Sequence, residues 1–158
     1  MQLNMCRSQY VSLCVVLLLF VSSLNGANAN TCGGNCPGNR CSSCPCGTSR
    51  NVLSDAQIKA FCQHGENVYG AKWNTDSCLK IAKAESGGNT NAANGNSNGS
   101  IDIGLWQINS MNWQSCSGGK APCSVTDNVA CAVKVFEWGG NTWKLWSTCA
   151  QLGLCGSR

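Results

Sequence analysis

Five cysteines fall within fifteen positions, at 32, 36, 41, 44 and 46, and seven more are spread from Cys62 to Cys155. So dense a set of thiols reads as a disulfide scaffold formed in an oxidising compartment. Both groups are odd in number. If every thiol is paired, at least one bridge must tie the amino-terminal group to the rest of the chain. The spacing of Cys41 and Cys44 also suits a zinc ligand pair, but no second pair or partnering histidine follows, and disulfides are the preferred reading. No metal and no cofactor are expected.

The other two cysteines, Cys6 and Cys14, sit in a leader. Residues 1–29 open with Arg7, continue through an apolar run from Val11 to Val21 and close on Ala27-Asn28-Ala29, which suits a cleavage site. The run is shorter than the ~20 residues a membrane span needs. The expected organisation is a signal peptide over 1–29, a Cys-rich segment over 30–50 and one domain over 51–158. The segment is Gly, Ser and Cys with two prolines, and reads as a loop held by bridges. Its role is not legible. The product is expected outside the cell or in the lumen of a lysosome or phagosome, with no membrane insertion once the leader is gone.

Chemistry concentrates between Glu85 and Ser110. The run Thr75 to Ser86 has a capping residue, good helix formers and a Gly87-Gly88 stop, and so predicts a short helix. Cys78, Ala82 and Glu85 share one face of it, away from Lys80 and Lys83. A carboxyl group on an apolar stripe holds its proton to higher pH, as a general acid must. Farther on, Asn94 to Ser100 is rich in turn formers, and Ile101, Ile103 and Leu105 alternate as in a strand, which predicts a hairpin. Asp102 then lies on the other face from the isoleucines, among Asn and Ser side chains able to hydrogen-bond an ionised carboxylate. Two carboxyl groups in contrasting surroundings are what glycoside hydrolysis requires.

The stretch from Glu85 to Ser110 resembles the active-site segment of the c-type lysozymes, the family shared with α-lactalbumin. It aligns without a gap through Asn94, Asn96, Gly99-Ser100, Asp102, Gly104 and Gln107-Ile108-Asn109-Ser110. The resemblance implies an α+β fold, with a helical lobe, a small antiparallel β lobe and the substrate cleft between them. It makes Glu85 the general acid and Asp102 the nucleophile or charge stabiliser, with Asn96 and Asn109 orienting the aspartate and Gln107 among the substrate-binding positions. It also pairs Cys78 with Cys149, although Cys78 is two residues out of register.

Flanking elements extend the picture. Ser54-Asp55-Ala56-Gln57 is a capping box that opens a helix to about Val68, with His64, the only histidine, read as solvated on its surface. Where many lysozymes present two tryptophans to sugar, this chain has Asn112 and Trp113. Trp113 either stacks on a sugar or packs in the core. Ser124 to Trp138 carries the longest helical pattern and is expected to be the buried central helix. The loop before it holds one acid, Asp127, and no calcium loop is visible. Asn141 to Trp146 matches the family's closing Trp-x-x-Trp helix, which assigns Trp143 to pack on the catalytic glutamate and sets it among the substrate-binding positions, with core packing open to it as well; Trp146 is read as core.

After leader removal, ten basic residues face seven acidic ones, a mild excess that favours anionic bacterial envelopes and is too weak and dispersed for nucleic acid. The expectation is a monomeric, secreted lysozyme acting on bacterial peptidoglycan, with chitin oligomers left open. A lytic transglycosylase, which needs only the glutamate, and a non-catalytic sugar- or partner-binding protein are the alternatives. Asp102 speaks against the first, and retention of both carboxylates against the second.

Overall fold

The computed structural model describes residues 32–36 and 40–158. The expected leader lies outside them. Helix α1 (Asp55–Tyr69) opens on the expected capping box: the Gln57 amide N–H donates to the Ser54 hydroxyl, and the Ser54 N–H donates to Gln57 Oε1 at 2.9 Å. Helix α2 (Thr75–Ser86) is capped one residue earlier than expected. The Asn74 side chain accepts from the N–H groups of Asp76 and Ser77, and Gly87, at φ 62°, stops the helix in the left-handed conformation that glycine adopts without strain. A short helix α3 (Trp113–Ser117) precedes α4 (Val125–Trp138), which is capped by Ser124 and buries Val129, Cys131, Ala132, Val133, Val135 and Phe136. Helix α5 (Cys149–Leu152) is a single turn near the end of the chain. The main core lies where α1, α2 and α4 meet.

The expected hairpin gains a third strand. Strands β1 (Ala93–Gly95), β2 (Ile101–Ile103) and β3 (Ile108–Asn109) form an antiparallel sheet in that order. Asn94 faces Asp102, and Asp102 faces Asn109. Ile101 and Ile103 are buried on one face, which leaves Asp102 half-buried on the other, as strand alternation requires.

Asn128 fastens the two lobes together. It projects from α4, is 1% exposed, and its amide donates to the carbonyls of Ile103 (3.1 Å) and Pro122 (3.2 Å) while its oxygen accepts from the Trp106 N–H (3.1 Å). Gly104, at φ 78°, passes so close that any Cβ would run into the Asn128 carboxamide. Nothing in the sequence pattern singled out Asn128, because its partners are main-chain groups, two of them 22 and 25 positions away.

All twelve cysteines from Cys32 onward are paired. The bridges are 32–44, 36–41, 46–123, 62–78, 116–131 and 149–155. Cys46–Cys123 is the tie between segment and domain that the odd counts require. Because Cys41 and Cys44 are each consumed in a bridge, neither is available as a zinc ligand. The pairing of Cys78 with Cys149 is corrected: Cys78 on α2 is bridged to Cys62 on α1, the helix packed beside it, and Cys149 closes a local loop with Cys155. His64 is not simply solvated. It is half-buried, its ring meets Tyr69 edge-on at 5.3 Å, and its Nε2 is buried without a hydrogen-bond partner among the described residues.

Candidate active site

Glu85 lies in the last turn of α2, half-buried, where the helix ends against the chain leading into α5. The Thr148 hydroxyl donates to Glu85 Oε1 at 2.6 Å. Burial pushes the Glu85 carboxyl above its ordinary value. The Thr148 hydrogen bond pulls it partly back, and the charge of Asp102 pushes it up again. The two acids therefore sense each other.

Asp102 sits in a frame of amides. Asn96 Nδ2 donates to Oδ2 at 2.8 Å and Asn109 Nδ2 to Oδ1 at 2.7 Å. Both amides also reach the Ser100 hydroxyl, which itself donates to Asn98 Oδ1. Each carboxylate oxygen thus has a fixed donor, and the side chain has one orientation. Pairing across the sheet explains why: Asn109 is the strand partner of Asp102, and Asn96 follows β1 directly.

A cleft opens between the lobes in two halves. The larger, about 500 Å³, runs past Ser86, Asn94 and Asn96; the smaller, about 210 Å³, runs past Asn109, Asn112 and Trp146. Glu85, Asp102, Gln107 and Ser147 line both halves, so the two carboxyl groups stand at the junction. Gln107 holds a left-handed backbone at φ 47°, uncommon away from glycine, and its amide donates to the Gly104 carbonyl at 2.9 Å.

A family model described as "Lysozyme like domain" matches residues 64–148, just over half of the chain. The chain belongs to the lysozyme-like family. Lysozyme C-1 of Anas platyrhynchos is 40% identical over 82 residues, covering 41% of this chain and 54% of the relative. Lysozyme C of Crax fasciolata is 39% identical over 82 residues, covering 41% of this chain and 62% of the relative. The chain thus spans between half and two thirds of the length of these relatives. The matched stretch includes Glu85, Asp102 and Thr148 but not the Cys-rich segment.

Within this lysozyme-like cleft the expected residues are only partly assembled. Glu85, Asp102, Asn96, Gln107 and Asn109 all line it. Trp143 does not meet it in the expected way. It is fully buried in an aromatic cluster, stacked on Trp73 at 5.2 Å, with its indole N–H on Ser77 Oγ, and so cannot touch a sugar. Trp146 is core as expected, 5% exposed with its indole N–H on the Trp106 carbonyl, and its edge is the ring that lines the cleft with Glu85. The reason is local: Trp143–Leu145 is one 3-10 turn and Trp146 is extended at φ −100°, so the pair does not share a helix face. Trp113 packs between the two core clusters and donates its indole N–H to the Ile108 carbonyl, which favours the core reading. Thr148 was missed, and no local pattern marks a threonine 63 positions away as the partner of the glutamate.

Proposed function

We propose that residues 51–158 form the catalytic domain of a secreted lysozyme that hydrolyses the β-1,4 bond between N-acetylmuramic acid and N-acetylglucosamine in bacterial peptidoglycan. The observation that carries this reading is the pair of carboxyl groups at the junction of one cleft, one desolvated and one held by two amides. The paired-carboxylate scheme is the one known for lysozymes in general; the assignment to these residues is what is proposed. Glu85 enters the reaction protonated and gives its proton to the leaving glycosidic oxygen. Asp102, ionised, attacks or stabilises the carbon that develops oxocarbenium character. Glu85, now a carboxylate, takes a proton from the incoming water, which restores both groups. Trp146 shields the acid from water on one side, and Asn96 and Asn109 keep the aspartate aimed.

Six disulfides support folding in an oxidising compartment, outside the cell or in a lysosomal or phagosomal lumen. No helix among the described residues is long and apolar enough to cross a membrane. We take the protein to act as a monomer, without cofactor or metal.

The test is the full chain, folded oxidatively, and its Glu85→Gln twin on purified peptidoglycan, with released fragments identified by mass. New reducing ends from the parent and roughly a hundred- to ten-thousandfold fewer from the twin are expected, the range that general acid catalysis commonly supplies. Anhydro-muramyl ends would move the chain to the lytic transglycosylases. Oligosaccharide binding without turnover at any pH would make it a non-catalytic binder.

A further inference from the structure

The Cys-rich segment lies outside the stretch matched by the family, yet part of it reaches the cleft. Gly34, Asn35 and Arg50 line the larger half together with Glu85 and Asp102. Asn35 anchors this wall. It is 1% exposed; its amide donates to the Ser49 carbonyl at 3.1 Å, its side-chain oxygen accepts from Asn89 Nδ2 at 2.6 Å, and its main-chain oxygen accepts from the Ala93 N–H at 2.6 Å. The segment is thereby tied both to β1 and to the loop that follows α2. Asn91 adds a hydrogen bond to the Ser49 carbonyl at 2.7 Å, directly beside Arg50. At Gly34, space lies open where a side chain would be, with nothing within 4 Å of a Cβ placed there.

Arg50 is exposed at this rigid edge, and among the described residues it is the only cation lining either half of the cleft. All seven acids of the chain fall within the described residues, and the two ion pairs are Lys59–Asp76 and Lys83–Asp55. Its guanidinium is held by no carboxylate of the protein. The rest of this half beyond the two acids is neutral, built from Asn, Ser, Gln, Ala and Thr. A planar, permanently charged fork at the edge of a neutral amide-lined groove suits a carboxylate, which it can meet with two parallel hydrogen bonds.

We propose that Gly34, Asn35 and Arg50 form a subsite for an acidic substituent on the glycan, with Arg50 pairing to a carboxylate of a lactyl ether or of the peptide joined through it. This rests on the reading of the cleft as a binding site for β-1,4-linked amino sugars. The segment then selects substrate: a neutral chitin chain fills the groove without using Arg50, and a muramyl chain uses it.

Binding separates the subsite from the chemistry. The full chain carrying Glu85→Gln, and the same protein with Arg50→Gln added, are titrated calorimetrically with two ligands of equal length, a muropeptide tetrasaccharide and the N-acetylglucosamine tetramer. The ratio of acidic to neutral affinity should fall about fivefold on Arg50→Gln, the upper end for an exposed pair, and the effect should shrink in 0.5 M salt. Arg50→Lys should restore only part of it. An unchanged ratio, whether both affinities fall equally or neither moves, would overturn the subsite. Turnover by the unmutated chain is measured in parallel. Turnover with an unchanged ratio sinks the subsite alone, whereas a fivefold fall without turnover sinks the hydrolase reading alone. Absence of binding by either ligand would overturn the subsite together with the reading it rests on.

Discussion

Replacing Thr148 by valine keeps the shape of the side chain and removes one hydrogen bond from the proposed acid. The Thr148 hydroxyl donates to Glu85 Oε1 at 2.6 Å and favours the ionised carboxylate, against a burial that favours the protonated form. Loss of that donor leaves burial less opposed, so Glu85 holds its proton to higher pH. A hydrogen bond to a charged group is worth about 1.5–3 kcal/mol. Thr148 is only half-buried, and its main-chain N–H, which also favours the carboxylate, remains in the variant, so about 1 kcal/mol is the appropriate share. The general acid works only while protonated, and rate falls as pH rises through its titration. On that alkaline limb, Thr148→Val should therefore retain about fivefold more activity, relative to its own plateau, than the parent. The assay is the pH profile of kcat/KM on a soluble glycan, with Thr148→Ser as the control that keeps the donor. An alkaline limb that stays in place or moves to lower pH would refute the assignment of Glu85 as acid, of Thr148 as its modulator, or both. A lower plateau accompanying the shifted limb would not, because it would report positioning.

Two stability predictions follow from the lobe contacts. Asn128→Ala should destabilise the fold by about 2–4 kcal/mol in denaturant titration, because the carbonyls of Ile103 and Pro122 and the N–H of Trp106 all lose a buried partner. Cys46→Ser with Cys123→Ser opens a loop spanning 77 positions and should cost about 4 kcal/mol from the entropy returned to the unfolded chain, read as a lower midpoint under non-reducing conditions.

Legibility followed the range of the interactions. Helices α1, α2 and α4 were readable because caps and stops are local: Ser54 with Gln57, Gly87 after Ser86, Ser124 before Val125. The surroundings of Asp102 were readable for the same reason, since Asn96, Ser100 and Asn109 all lie within seven positions of it. Helical spacing read Trp143 and Trp146 as core, which they are, but did not show which ring borders the cleft, because a 3-10 turn followed by extended backbone turns the second toward it. Pairing of Cys62 with Cys78 depends on two helices packing side by side, which spacing alone does not encode. The wall formed by Asn35 and Arg50 was invisible because its contacts, to Asn89 and Ala93, join residues more than 50 positions apart through amides and main chain.

The bridge pattern also bears on how such a chain reaches its native state. Twelve thiols can combine in on the order of ten thousand ways. Yet five of the six bridges join cysteines no more than 16 positions apart. Short loops meet far more often than long ones: closing one of 77 positions is roughly twentyfold less probable than closing one of about ten. In the oxidising compartment proposed above, 32–44 and 36–41 can form while most of the sequence is still to come. Cys46 is then left an unmatched thiol until Cys123 arrives, which makes their bridge the last of the three to fasten the segment.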